Sequence, residues 1–261
     1  MREAGPVVVF LPGIGGHVFT FAGIAEKLGH RAVGLRAWGA ERGETPFSSL
    51  VGMAKKNLEA LEAAGVTDFA LAGYSMGARV AFEMALQMAQ AQRRPARLFL
   101  FDAMAPGYPA KLPLLERAGL HARSFMGAKG VVGKLSYLQE RGKSLRNKLA
   151  FATGDAAAFV DEMPDVDPAL RPQLERLWGS AALANQAWWP RGRLDVDTTL
   201  FVASSPIVWS GHRMDDPLLG WARWVTRPID TVVLEGLHLE LFVAGNHATI
   251  ATAIDERLRN S

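Results

Sequence analysis

Between Pro6 and Asp102 the sequence alternates short, β-rich apolar runs with stretches of helical periodicity, and that rhythm restricts the chain to few architectures. PVVVFLP (6–12), RAVGLRA (31–37), DFALAG (68–73) and RLFLFD (97–102) read as strands. Between them the spacing of apolar residues predicts helices over roughly 19–28, 46–65 and 76–91, the second opening on Ser48 or Ser49 and stopping at Gly65. Near-continuous apolar strands that alternate with helices need both sheet faces covered, which is the pattern of a parallel sheet between helical layers. The expected fold class is α/β, with a mostly parallel central sheet flanked by helices.

After Asp102 the rhythm stops. From about 104 to 195 there is no convincing strand, only helix-like pieces separated by Gly and Pro. Strands resume at TTLFVAS (198–204) and DTVVLEG (230–236), and a helix closes the chain over about 246–259. The expectation is one domain, 1–261, carrying a long helical insertion at about 104–195. That insertion would sit as a lid over the edge where the strands' carboxyl ends open; a separate helical domain with a structural role is the alternative. No internal repeat and no low-complexity tract interrupts this scheme.

Composition removes several function classes. The chain has no cysteine, so disulfides, thiolate nucleophiles and zinc–thiolate sites are impossible, and a reducing, cytoplasmic location is expected. With 49% hydrophobic and 21% charged residues it can bury a sizeable core. No apolar run is long enough to span a membrane and no signal-peptide pattern is present, so no membrane partner is expected. The net charge of +3 gives no ground for a nucleic-acid partner, but its distribution is uneven. Lys111 to Ala150 holds nine Lys/Arg against two acids, and Phe151 to Glu175 six acids against one Arg. Such blocks are either solvated helix faces or a docking surface for an acidic partner.

Chemistry is carried by Gly73-Tyr74-Ser75-Met76-Gly77, a G-x-S-x-G pattern with a strand before it and a helix after it. Small residues on both sides allow the sharp strand-to-helix turn that lifts a serine hydroxyl out of the sheet, so Ser75 is the expected nucleophile. A serine needs a base, and the base an orienting acid. Of six histidines, His238 follows a strand and a glycine, on the edge where Ser75 emerges. His17, His30, His121, His212 and His247 occupy turns, loops or helix ends. For the acid, Asp102 ends the strand after the nucleophile helix; Asp215 and Asp216 follow a later strand, where a capping role ahead of Pro217 competes. The oxyanion donors expected are the backbone N–H groups of Met76 and of Gly13 or its neighbour Ile14, in the turn LPGIGG. GIGGHVF lacks the full G-x-G-x-x-G pattern, which disfavours a dinucleotide site.

FLPGIGG, AGYSMGARVAFEMA, LFLFDAMAP and GLHLELF, with Gly220-Trp221 ahead of the histidine strand, resemble the thioesterases that end polyketide and nonribosomal-peptide assembly lines. The resemblance covers nearly the whole chain and implies an α/β-hydrolase fold with a Ser75–His238–Asp102 triad. The substrate it implies is a phosphopantetheine-tethered chain delivered by an acyl or peptidyl carrier protein, with no resident cofactor or metal. In chain-releasing members the acid ends the strand just after the nucleophile helix, as Asp102 does; in free-standing editing members it comes later, near Asp215 and Asp216. Release would be to water or to an internal hydroxyl or amine that closes a ring. Ala78 stands where the family often has a second glycine. Carrier proteins are generally acidic, which suits the basic 111–150 stretch to docking. Trp178, Trp188 and Trp189 either line a substrate channel or, the favoured reading, hold the insertion to the sheet domain. A start close to the first strand leaves no helical leader for dimerisation, so a monomer is expected. The rival functions are an ordinary esterase or lipase, a non-catalytic binding member of the fold, and an editing hydrolase.

Overall fold

The computed structural model describes residues 5–41, 43–127, 169–205 and 211–260, with positions 135, 139, 142 and 153. Its strands are β1 (Val7–Leu11), β2 (Ala32–Gly34), β3 (Phe69–Tyr74), β4 (Leu98–Phe101), β5 (Ala110–Lys111), β6 (Thr198–Ala203), β7 (His212–Arg213) and β8 (Ile229–Leu234). The helices are α1 (Ala22–Lys27), α2 (Leu50–Ala63), α3 (Met76–Gln90), α4 (Leu114–Gly127), α5 (Arg171–Ala187) and α6 (Ala244–Arg259).

Six strands form one parallel sheet in the order β2-β1-β3-β4-β6-β8. Period-two alternation sends successive side chains to opposite layers. In β1, Val7, Val9 and Leu11 pack with Leu50, Ala54, Ala81 and Phe82 of α2 and α3. Val8 and Phe10 face Phe21, Ile24, Ile250 and Ile254 beneath α1 and α6. The chain leaves β1 for β2 on one side and returns to β3 on the other, so the carboxyl ends of β1 and β3 flank a switch point where open α/β sheets bind ligands.

Local chemistry explains the helix ends. Ser49 caps α2, its hydroxyl accepting the Gly52 N–H at 3.1 Å. Past α2, Gly65 takes φ +69°, and bonds from Gly65 N to Glu62 O and from Val66 N to Leu61 O close a Schellman motif.

Three expectations need correction. The strand read over 31–37 pairs only across Ala32–Gly34, because the chain then bends to hydrogen-bond the glycine turn, Ala37 N to Gly16 O. The stretch 104–195 is also not free of strands: β5 pairs antiparallel with β7. Two residues carry no periodicity, so only long-range pairing reveals this ladder. The predicted helix at 19–28 is a 3₁₀ turn, Phe19–Phe21, followed by α1. Most of the central insertion, and with it most of the basic and acidic blocks, lies outside the described residues.

The loop after β2 is clasped by one charge cluster. Arg36 donates to both carboxylate oxygens of Glu44, at 2.7 and 2.6 Å, and Glu44 also accepts from Gly39 N. The Arg36 hydrogen bonds, foremost, pull the Glu44 carboxyl down to about 2. A depressed acid stabilises the fold above its unfolded value, ~4.3 for glutamate, and loses that contribution as pH falls toward its folded value. Thermal melts at successive pH values should therefore show the difference between wild type and Glu44→Gln shrinking between about pH 4.5 and 2.

Candidate active site

The elbow is built by close backbone packing. A Cβ at Gly73 would collide with the Gly77 carbonyl and the Ala78 Cα, and one at Gly77 with the carbonyls of Leu11 and Pro12. Both positions of the motif are thus glycine for want of space. Ser75 sits between β3 and α3 at φ +53°, ψ −116°, a strained conformation that projects its side chain from the turn. Its hydroxyl has no hydrogen-bond partner among the described residues.

Asp102 leaves β4 at φ +44°, with its N–H bonded to Phe201 O at 2.7 Å. Its two carboxylate oxygens are divided: Oδ1 accepts the Ala203 N–H at 3.0 Å, and Oδ2 faces His238 Nδ1 at 2.8 Å. A carboxylate can only accept, so Nδ1 carries a proton, and in the neutral ring Nε2 is the nitrogen that holds the lone pair. The loop bearing His238 is pinned on both sides. Ser204 Oγ accepts the Gly236 N–H, and buried Asn246 donates Nδ2 to the carbonyls of Glu235 and Leu241.

Tyr74, the variable residue before the serine, is a support the motif alone does not reveal. Its ring stacks on the His238 imidazole with centroids 4.9 Å apart, and its hydroxyl donates to the His238 carbonyl at 2.9 Å. Burial, and secondarily the Asp102 charge, push the phenol well above its usual range, so it stays a neutral donor. Opposite, Gly13 faces this pair: a Cβ there would lie 3.2 Å from the Tyr74 ring and 3.5 Å from the Ser75 Cβ. Among the described residues the N–H groups of Gly13, Ile14 and Met76 have no acceptor.

Arg79, one turn beyond Ser75 in α3, is a second support without a sequence signature. It donates Nε and Nη2 to Met104 O, at 3.2 and 2.9 Å, and Nη1 to Asn185 O at 3.0 Å. It thereby ties α3 to the segment following Asp102 and to α5. Burial lowers its guanidinium to about 10, which leaves it charged at neutral pH. A lone arginine in an amphipathic helix gives no sign in sequence of two distant carbonyl partners.

The remaining candidates lie apart from this cluster. Asp216 caps a turn, accepting from Leu218 N at 2.9 Å and Gly220 N at 3.0 Å. Asp215 is exposed, 3.9 Å from Arg213. His30 is buried against Asp255 at 2.7 Å, and His247 bonds the Phe242 carbonyl at 2.7 Å. His17 is exposed and His212 lies in β7. His121 falls on α4. Trp188 is buried and donates to Glu83 of α3 at 2.8 Å, fastening α5 to the core. Trp178 packs over Gly15, and Trp189 is half exposed against Trp224. Among the described residues no cluster of three His, Asp or Glu could hold a metal ion, and no helix is long and apolar enough to cross a membrane.

The chain is similar to several known proteins. The chain is 42% identical over 110 residues to indigoidine synthase of Streptomyces lavendulae, a match spanning 41% of this chain but only 8% of that protein's length. The fold matches RedJ, a thioesterase from the prodiginine biosynthetic pathway of Streptomyces coelicolor, with TM-score 0.67 and 23% identity over 98% of this chain and 91% of that one. It matches BorB, the type II thioesterase of the borrelidin biosynthetic cluster, with TM-score 0.64 and 18% identity over 99% and 93% of the two chains. The parallel sheet between helical layers is thus the α/β-hydrolase arrangement of such enzymes. A sequence model of the thioesterase domain extends across residues 6–258, nearly the full chain, and with the elbow and the Asp102–His238 pair at one sheet edge it places this protein in the thioesterase domain family.

Proposed function

We propose that this protein is a serine thioesterase of polyketide or nonribosomal-peptide biosynthesis. It takes an acyl or peptidyl chain from the phosphopantetheine arm of a carrier protein onto Ser75 and releases it by hydrolysis or ring closure. The observation that supports this most is the Asp102-bound imidazole of His238, carried to the same sheet edge as the strained Ser75 elbow.

His238 Nε2 removes the Ser75 proton as Oγ attacks the thioester carbonyl. The oxyanion of the tetrahedral intermediate is received by the N–H groups of Met76 and Gly13, each such donor worth ~2.7–4 kcal/mol of barrier. The C–S bond then breaks and the imidazolium protonates the leaving sulfur, giving an acyl-Ser75 ester and free pantetheine thiol. Water, or a hydroxyl or amine of the chain itself, loses its proton to Nε2 and attacks the ester. Collapse returns that proton to Ser75 Oγ and frees the acid or the ring. Asp102 holds the tautomer throughout and stabilises the imidazolium. No resident cofactor or metal enters any step.

Placement of the acid at Asp102 favours a chain-releasing enzyme, while the likeness to BorB favours a free-standing editing role as the second reading. The insertion acts as the lid, with α5 as its docked part. Lys111, Arg117 and Arg123 belong to the basic stretch assigned to the acidic carrier. The test is intact mass spectrometry after incubation with acyl-carrier thioesters. The expected result is one acyl adduct on Ser75, then a released product; a product lighter by one water than the free acid means ring closure. A strong preference for simple oxygen esters over carrier thioesters would overturn the reading.

A further inference from the structure

The segment that carries Asp102 is held by side chains from outside the triad. β4 ends at Phe101, and Asp102 follows at φ +44°, a left-handed conformation that aspartate visits but that persists only when its surroundings enforce it. The chain then passes through buried Ala103 and Ala105 outside any strand, so its backbone groups need partners other than a sheet ladder. Two of its carbonyls are taken by side chains. Ala103 O accepts the indole Nε1–H of Trp221 at 2.6 Å, and Met104 O accepts from both Nε and Nη2 of Arg79, at 3.2 and 2.9 Å.

Each grip comes from an element that leads to another member of the triad. Arg79 lies one turn beyond Ser75 in α3, so a rigid helical turn separates its guanidinium from the nucleophile. Trp221 opens the 3₁₀ turn Trp221–Arg223 ahead of β8, the strand that runs up to the His238 loop. Close approach explains the Gly220-Trp221 pair. At Gly220, φ +86°, a Cβ would lie 2.5 Å from the Tyr108 Cβ and 3.3 Å from the Ala105 Cβ, both on the segment that follows Asp102. Trp221 itself is fully buried, with its ring 5.1 Å from that of Phe82 in α3.

We propose, resting on the triad of the reading above, that Arg79 and Trp221 are positioning residues for the acid. They hold the two carbonyls that follow Asp102, and so fix where its Oδ2 stands relative to His238 Nδ1, 2.8 Å away. Among the described residues neither bonds the imidazole or Ser75, so both act through Asp102. Arg79 suits the task because its planar fork sets two N–H groups on one oxygen, which a lysine ammonium on a flexible stem does not reproduce. Without either grip Asp102 is free to leave its strained conformation, and a small misplacement of a catalytic group costs on the order of a hundredfold in rate.

The experiment is a double-mutant cycle on kcat/KM for p-nitrophenyl acetate, a small ester that needs the triad but no carrier. Trp221→Phe keeps an aromatic ring against Phe82 and deletes the indole N–H. It should lose about ten- to hundredfold in the wild-type background and less than about threefold in the Asp102→Asn background, where no carboxylate is left to place. Arg79→Lys should follow the same pattern. A residue that merely stabilises the fold would lower activity equally in both backgrounds. Proton NMR gives a second readout: the low-field resonance of the His238 Nδ1–H shared with Asp102 should broaden or vanish in both variants. Circular dichroism establishes folding, and Arg79→Lys, on a partly exposed position, decides alone if Trp221→Phe does not fold. Equal losses in the two backgrounds, or folded variants within about threefold of wild type, overturn the positioning role. Wild-type turnover of p-nitrophenyl acetate with none of an acetyl-pantetheine thioester would instead remove the thioesterase reading, and the same cycle would still decide the positioning role.

Discussion

Ser75→Ala should lower kcat/KM for an acyl-carrier thioester by about 10⁴- to 10⁶-fold and abolish the acyl adduct in intact mass spectra. The size follows from what the hydroxyl does and what survives without it. The covalent path disappears, because no other side chain at the elbow can take the acyl group. The N–H groups of Met76 and Gly13 persist, and such remnants leave about 10³- to 10⁴-fold acceleration over the uncatalysed reaction. Stability should hardly change. The Ser75 hydroxyl has no hydrogen bond to lose among the described residues, and alanine carries the same Cβ at φ +53° that serine does. Wild-type melting with lost turnover therefore separates a nucleophile from a residue that merely builds the turn. Activity within tenfold of wild type in Ser75→Ala would sink the proposal.

The parts of this site legible in the sequence are those fixed by backbone sterics. Gly73 and Gly77 face carbonyls that leave no room for a Cβ, so their spacing around Ser75 is a local necessity that the bare pattern displays. The sheet edge is legible for a similar reason: β1, β3, β4, β6 and β8 are apolar runs punctuated at their carboxyl ends, which puts Ser75, Asp102 and His238 on one rim. What the sequence hides is contact between distant segments. Tyr74 stacks on His238, 164 positions away, and Arg79 bonds Asn185 across 106. The two-residue strands β5 and β7 are too short for any period to register.

The acid offers the sharper discrimination, because two chain positions compete for it. Asp102→Asn should lower kcat about 10⁴-fold while preserving the fold, and the geometry explains why an isostere is so damaging. In wild type Oδ1 accepts the Ala203 N–H and Oδ2 accepts from His238 Nδ1. In the asparagine variant the carbonyl oxygen is the atom able to accept from Ala203, which leaves the NH₂ group facing the imidazole. Nδ1 must then be the acceptor, the ring proton moves to Nε2, and the lone pair that should deprotonate Ser75 is gone. Tyr74 still stacks on the ring, so the imidazole stays in place with the wrong tautomer. The pH–rate profile should report this directly: the fall appears on the alkaline side as well, where restored base would otherwise rescue turnover. Asp216→Asn should behave in the opposite way. Its carboxylate caps Leu218 and Gly220 and does not touch His238, so the variant should lose ~1 kcal/mol in urea denaturation and keep kcat within a few-fold of wild type. A reversed outcome, with Asp216→Asn inactive and Asp102→Asn active, would move the acid to the later strand and turn the reading from chain release to editing.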